Sequence, residues 1–128
     1  MTPEELVARA LEARKHAHAP YSSFPVGAAL LSSDGRIFCG ANMENASYGL
    51  TICAERAAFA TAITAGCRAF EALAVATRGG ASMCGACRQV AHEFAPDLQV
   101  HLADENGRFR TRTLRELLPG AFGPRSLP

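Results

Sequence analysis

The 128-residue chain has no tryptophan, only two tyrosines and almost no net charge, with 13 Lys and Arg against 12 Asp and Glu. So even a balance excludes a strongly basic surface that would hold nucleic acid by neutralising phosphates. It equally excludes an acidic disordered tail. No apolar run approaches the roughly 20 residues of a membrane helix, because charges, Gly, Ser or Asn interrupt every stretch. The opening Met1-Thr2-Pro3-Glu4-Glu5 is acidic and lacks the basic and apolar regions of a secretory signal, so a cytoplasmic location is expected. Repeats and low-complexity blocks are missing as well. What is present is 48% hydrophobic residues, in a length suited to a single domain spanning residues 1–128. Such a domain buries roughly two thirds of its unfolded surface without disulfides.

The cysteines number five, Cys39, Cys53, Cys67, Cys84 and Cys87. An odd count without an export signal argues against a disulfide framework. Reduced thiols then serve as small hydrophobes, redox nucleophiles or metal ligands. Cys39, in a short strand, and Cys67, after a helix-capping Gly, read as core or surface thiols. His16, His18, His92 and His101 fit no ligand spacing.

Thr2-Pro3-Glu4-Glu5 has a capping-box pattern, and Leu6, Val7, Ala10 and Leu11 follow at helical spacing, predicting a helix from Pro3 to His18. Ala19-Pro20 ends it. Val26 to Leu31 reads as a buried strand, Ser33-Asp34-Gly35-Arg36 as a tight turn, and Ile37 to Cys39 as the returning strand. Gly40 to Gly49 reads as a polar loop. Thr51 to Ala65 is predicted helical with Gly66 as its cap. That helix is apolar around nearly its whole circumference, which calls for cover on several sides. Strands are expected at Ala72 to Thr77, Leu98 to Ala103 and Phe109 to Thr111, with Asn106-Gly107 turning between the last two. A helix from Cys84 to Phe94 and a short one after Thr113 complete the pattern. Alternating strands and helices imply a three-layer α/β/α sandwich on a mixed five-stranded sheet.

Two cysteine groups begin helices: Cys53-Ala54-Glu55-Arg56 and Cys84-Gly85-Ala86-Cys87. Unpaired N–H groups and the helix dipole favour thiolates there, and residues three apart share a face. Three thiolates with one open position describe a catalytic zinc site. An iron–sulfur cluster would ask for a fourth cysteine. Glu55, two residues from one ligand, is placed to accept a proton from water at the metal. Arg56 and the two helix N-termini offset the −1 charge of three thiolates on Zn²⁺. The rival readings of the CxxC are a thioredoxin-like redox pair and a purely structural zinc site; the first leaves Cys53 and Glu55 without a role.

From the first helix to Phe122 the sequence resembles the small homotetrameric cytidine deaminases. The resemblance rests on Ala19-Pro20-Tyr21-Ser22-Ser23-Phe24-Pro25-Val26-Gly27-Ala28-Ala29-Leu30, on Asn42-Met43-Glu44-Asn45-Ala46-Ser47-Tyr48-Gly49, on Cys53-Ala54-Glu55-Arg56-Ala57-Ala58 and on Cys84-Gly85-Ala86-Cys87-Arg88-Gln89. It implies a cytidine deaminase-like fold, one Zn²⁺ per chain on Cys53, Cys84 and Cys87, and Glu55 as proton shuttle while water attacks C4 of cytosine and ammonia leaves. It further implies Phe24 as a wall against the pyrimidine, Asn42 and Glu44 as ribose ligands, and backbone contacts to the base from Ala54 and Ser82. The Ser82 carbonyl is expected to receive the substrate amine. Arg56 would bond a zinc thiolate, and Arg88 and Gln89 would hydrogen-bond around the metal site. Tyr48 and Phe122 match residues of a pocket shared between subunits, which implies a homotetramer. The expected substrate is cytidine or deoxycytidine, within pyrimidine salvage, with no nucleic-acid or membrane partner. The alternatives are deamination of a modified cytosine nucleoside such as blasticidin S, a deaminase acting on RNA or DNA, and a non-catalytic zinc module. One departure stands out: Met83 occupies the position before Cys84 where the family usually has Pro.

Overall fold

A computed structural model describes all residues, Met1 to Pro128. Its sheet has five strands: β1 (Gly27–Ser32), β2 (Ile37–Ala41), β3 (Phe70–Ala76), β4 (Gln99–Ala103) and β5 (Phe109–Thr113), ordered β2-β1-β3-β4-β5. Only β3 and β4 run parallel; the remaining neighbours are antiparallel. The helices are α1 (Pro3–Arg14), α2 (Ala54–Thr64), α3 (Gly85–Phe94) and α4 (Leu114–Leu117).

Period-two alternation splits the sheet residues between two cores. Ala28, Leu30, Leu73, Val75, Val100 and Leu102 point to the side of α2, α3 and α4, where Phe59 meets Phe70 edge-on and stacks on Phe94. Ala29, Leu31, Ala72, Ala74, Ala76 and Ala103 face α1 through Leu6, Val7 and Ala10. This gives the three layers. Both tight turns use glycine in the left-handed region, Gly35 at φ +92° and Gly107 at φ +86°.

Several element ends differ from the sequence reading. Helix α1 stops at Arg14 rather than His18, because the backbone of His18 is engaged elsewhere: it donates to Asn42 O at 2.9 Å and accepts from Glu44 N at 2.8 Å. The predicted loop of residues 40–49 is pinned structure. Strand β2 continues into it to Ala41, Met43 and Ile52 exchange two backbone hydrogen bonds of 3.0 Å, and Tyr48–Leu50 forms a 3₁₀ turn. Helix α2 starts at Ala54, three residues later than Thr51, with Cys53 as its N-cap. The strands reach one or more residues beyond their predicted limits at Ser32, Phe70 and Thr113. Thr113 and Glu116 make the expected capping box for α4.

Gly40 governs how α2 meets the sheet. A Cβ there would lie 2.4 Å from the Ala54 carbonyl oxygen and 2.6 Å from Ala58 N. Backbone therefore packs on backbone, which places the first turn of α2 directly over β2. Gly40→Ala is expected to push this turn outward and to destabilise the fold by about 1–3 kcal/mol, the usual cost of forcing volume into a packed site. Denaturant unfolding of the two proteins measures it; an unchanged midpoint would contradict the close approach.

Candidate metal centre and active site

Cys53 and Cys84 hold equivalent places. Each is the N-cap of its helix, with extended backbone (φ −72°, ψ 152° and φ −68°, ψ 163°), and neither side chain caps its own helix. Both sulfurs are thus left for another partner at the positive ends of α2 and α3. Cys87, one turn into α3, is fully buried. The Sγ atoms of Cys53 and Cys84 are 3.9 Å apart and those of Cys84 and Cys87 3.4 Å, with all three within 4.8 Å of one another. Tetrahedral zinc with Zn–S bonds of about 2.3 Å needs sulfurs about 3.8 Å apart. No histidine or carboxylate joins the cluster. His101, for example, is buried at the far strand pair, with Nδ1 2.8 Å from Thr111 Oγ1.

The charges around the cluster also call for a cation. Hydrogen bonding with the Cys87 thiol, helped by Arg56, pulls Cys53 down to about 5. Cys87 is pushed up, first by the hydrogen bond it shares with Cys53 and then by burial. Sulfurs this close cannot all ionise unless a metal compensates them. Arg56 donates from Nη2 to Cys53 Sγ at 3.5 Å, and its Nε is buried without a partner. Glu55, 5% exposed in the first turn of α2, has its carboxyl pushed above the ordinary range by burial, with the neighbouring Cys53 charge acting in the same direction. A raised carboxyl beside a metal site suits proton transfer near neutral pH.

A cleft of about 220 Å³ opens over these groups. Cys53, Cys84 and Glu55 line its floor, and Phe24, Asn42, Glu44, Ala54 and Ser82 its walls. Sequence reasoning missed Ser22, Val26, Thr51, Val75, Thr77 and Ala81, which also line it. Only the end of β3 in Ala72 to Thr77 hinted at them, since sites tend to form at strand ends. A larger groove of about 620 Å³ between α3 and the C-terminal segment contains none of this chemistry.

Several side chains have partners that the sequence did not announce. Asn42 accepts from Val26 N at 2.8 Å and donates to the Phe24 carbonyl at 3.0 Å. Glu44 accepts from the backbone N–H groups of Tyr21 and Ser22 at 2.9 and 3.1 Å and from the Ser22 hydroxyl. Both therefore brace the segment carrying Phe24, while the Arg78 guanidinium lies 5.5 Å from the centre of the Phe24 ring. Gln89 donates to the Phe122 carbonyl at 2.8 Å and Arg88 to groups before Cys84; neither side chain bonds a sulfur. Tyr48 is 74% exposed and 5.7 Å from the Tyr21 ring in an adjoining hollow, and Phe122, 59% exposed, lies outside the cleft. Cys39 lines no metal cluster, and buried Cys67 accepts from Arg36 Nη2 at 2.8 Å.

An open three-sulfur site beside a buried carboxylate, on an α/β/α scaffold, fits the class of zinc enzymes that activate water. The family model described as the cytidine and deoxycytidylate deaminase zinc-binding region matches residues 1–102, and the chain belongs to that family. It is 49% identical to the cytidine deaminase of Sporosarcina psychrophila over 130 aligned positions, covering 99% of this chain and 96% of the relative. A crystal structure of cytidine deaminase from Burkholderia pseudomallei superimposes with a TM-score of 0.92 at 49% identity, over 95% of this chain and 100% of the other. That of Mycobacterium tuberculosis gives 0.80 at 43% identity, over 93% and 95%. The family's zinc-binding region and the sulfur triad agree on one Zn²⁺ per chain.

Met83, at the family's usual proline position, is 2% exposed and packs in the same core as Cys87. Met83→Pro is therefore expected to lower stability by about 1–3 kcal/mol through lost packing. It should change kcat/KM by less than tenfold, under about 1.4 kcal/mol, because no ligand or proton carrier is altered. Unfolding and steady-state kinetics of the variant check both; a hundredfold gain in kcat/KM would show that Met83 limits the enzyme.

Proposed function

We infer that this chain is a cytidine deaminase, converting cytidine or deoxycytidine and water to uridine or deoxyuridine and ammonia. The observation that carries this reading is the buried Glu55 carboxyl in the same cleft as an open triad of sulfurs. Zn²⁺ on Cys53, Cys84 and Cys87, when bound, supplies the Lewis acidity that makes water a nucleophile near neutral pH. Glu55 takes one proton from the attacking water and passes it to ring N3, then takes the water's second proton from the new C4 hydroxyl and delivers it to the amine as the C4–N bond breaks, leaving the 4-oxo product and ammonia. Arg56 and the N-termini of α2 and α3 balance the negative charge of the sulfurs.

Phe24 packs on the pyrimidine, and the backbone of Ala54 and the Ser82 carbonyl contact the base. Asn42 and Glu44 recognise the ribose. The hydrogen bonds Asn42 makes within the chain leave it one amide hydrogen and one lone pair for that task. These contacts favour a plain nucleoside over a blasticidin S-like one. With a formal charge of +1, the chain has no excess of cations for tracking phosphates, which speaks against RNA or DNA as substrate.

The working unit is a homotetramer with shared active sites. What supports it is apolar surface left uncovered around the cleft: Tyr21, Met43, Tyr48, Leu50 and Phe122 are each more than half exposed. The outer face of α2 is uncovered too, through Ala60, Thr61 and Thr64. In the tetramer Tyr48 and Phe122 reach a neighbouring subunit's pocket. No helix is long and apolar enough to cross a membrane, and a cytoplasmic place in pyrimidine salvage is consistent with that.

Glu55→Gln is expected to keep one zinc per chain and the oligomer while losing roughly 10²-fold or more in rate. The absorbance change as cytidine becomes uridine, beside metal analysis and sedimentation, reads this directly. Activity persisting in the variant would remove the proton-carrier role, and loss of zinc would make Glu55 a structural residue.

A further inference from the structure

The segment between β3 and α3 delivers Ala81 and Ser82 to the cleft and Cys84 to the metal centre, yet it contains two consecutive glycines and no regular structure beyond one 3₁₀ turn. Its first half is tied by Thr77, whose buried hydroxyl accepts from Ala81 N at 2.6 Å. Its second half is anchored by the buried Met83 side chain and hydrogen-bonded by one other residue. Arg88, one turn and a residue along α3, donates from Nε to the Met83 carbonyl at 2.8 Å, from Nη2 to Ser82 Oγ at 2.9 Å, and from Nη1 to the Leu117 carbonyl at 2.5 Å. The guanidinium thus joins the loop, α3 and the end of α4 in one plane.

These contacts decide which acceptor the loop leaves available. The Met83 carbonyl is consumed by Arg88, and the Ser82 hydroxyl is bound to the same fork. The Ser82 carbonyl accepts no hydrogen bond from elsewhere in the chain, and Ser82 lines the cleft. A guanidinium presents several donors in fixed geometry, whereas an ammonium presents a point charge without that fork. A proline before Cys84 would restrict the loop through its own ring. With Met83 there, that restraint is lacking and Arg88 holds the peptide from outside.

We propose that Arg88 is a positioning residue for substrate selection, holding the 82–83 segment so that the Ser82 carbonyl reads the exocyclic amine of the substrate. The proposal rests on the assignment of that carbonyl to the amine in the deaminase reading. Because the carbonyl can pair with a 4-amino donor but not with a 4-oxo group, Arg88 acts on the discrimination between substrate and product rather than on affinity for nucleosides in general.

The test compares zinc-loaded wild type with Arg88→Ala, Arg88→Lys and Ser82→Ala, measuring zinc per chain, sedimentation, kcat and KM for cytidine, and Ki for uridine. In both Arg88 variants kcat/KM for cytidine is expected to fall about tenfold or more, while uridine Ki stays within about threefold and zinc is retained. Ser82→Ala, which removes one arm of the fork and leaves the carbonyl, is expected to shift the same ratio by about two- to threefold. Cytidine and uridine weakening together, loss of zinc, or unchanged kinetics in Arg88→Lys would each overturn the positioning role. If Arg88→Ala does not fold, Arg88→Lys and Ser82→Ala still decide the matter. A wild type that deaminates no cytidine would remove the underlying reading instead, and that failure would appear before any variant is made.

Discussion

The N-termini of α2 and α3 meet in one place, and their polar ends look onto the same small volume. Each contributes an N-cap cysteine whose sulfur is not spent on its own helix, and α3 adds Cys87 from its buried face. Two half-dipoles and one guanidinium then surround three close-packed sulfurs, an arrangement suited to sharing a cation. Much of the fold serves this meeting. Gly40 lets α2 lie directly on β2, the parallel step from β3 to β4 runs through α3, and the Met43–Ile52 bridge delivers the chain to Cys53 at a fixed angle.

The same convergence shapes the chemistry of Glu55. Its place in the first turn of α2 puts the carboxyl beside the sulfurs and under the sheet, where burial raises it toward the range of a working acid–base group. A solvated surface carboxylate would remain charged at neutral pH and hold a returned proton poorly. The cleft wall that carries Phe24 is braced separately. Glu44 and Ser22 hold the turn before Phe24, and Asn42 ties that turn to the start of β1, so the walls of the cleft stiffen one another.

Much of this was legible in the amino-acid order because the signals were local. Short, wholly apolar runs marked the buried strands, the Asp34-Gly35 and Asn106-Gly107 pairs marked both hairpins, and Thr113 with Glu116 marked the last helix. The three zinc cysteines and Glu55 stood out because helix starts and a CxxC spacing carry chemical meaning by themselves. The misplacements were non-local. Nothing within the first 18 residues announces that His18 pairs with the segment around Met43, which ends α1 at Arg14, a turn short of the helical pattern. The reach of Arg88 back to Met83 and across to Leu117, and of Gln89 to Phe122, depends on which loop folds over α3. Tyr48 and Phe122 came from resemblance alone, and a single chain leaves both in the open.

Everything else depends on Cys53, Cys84 and Cys87 holding one zinc ion and leaving a fourth position for a light atom. X-ray absorption at the zinc edge of the purified protein measures it most directly. Three sulfur scatterers at about 2.3 Å and one oxygen or nitrogen scatterer at about 2.0 Å are expected. Four sulfurs, or a shell with two sulfurs or fewer, would contradict it.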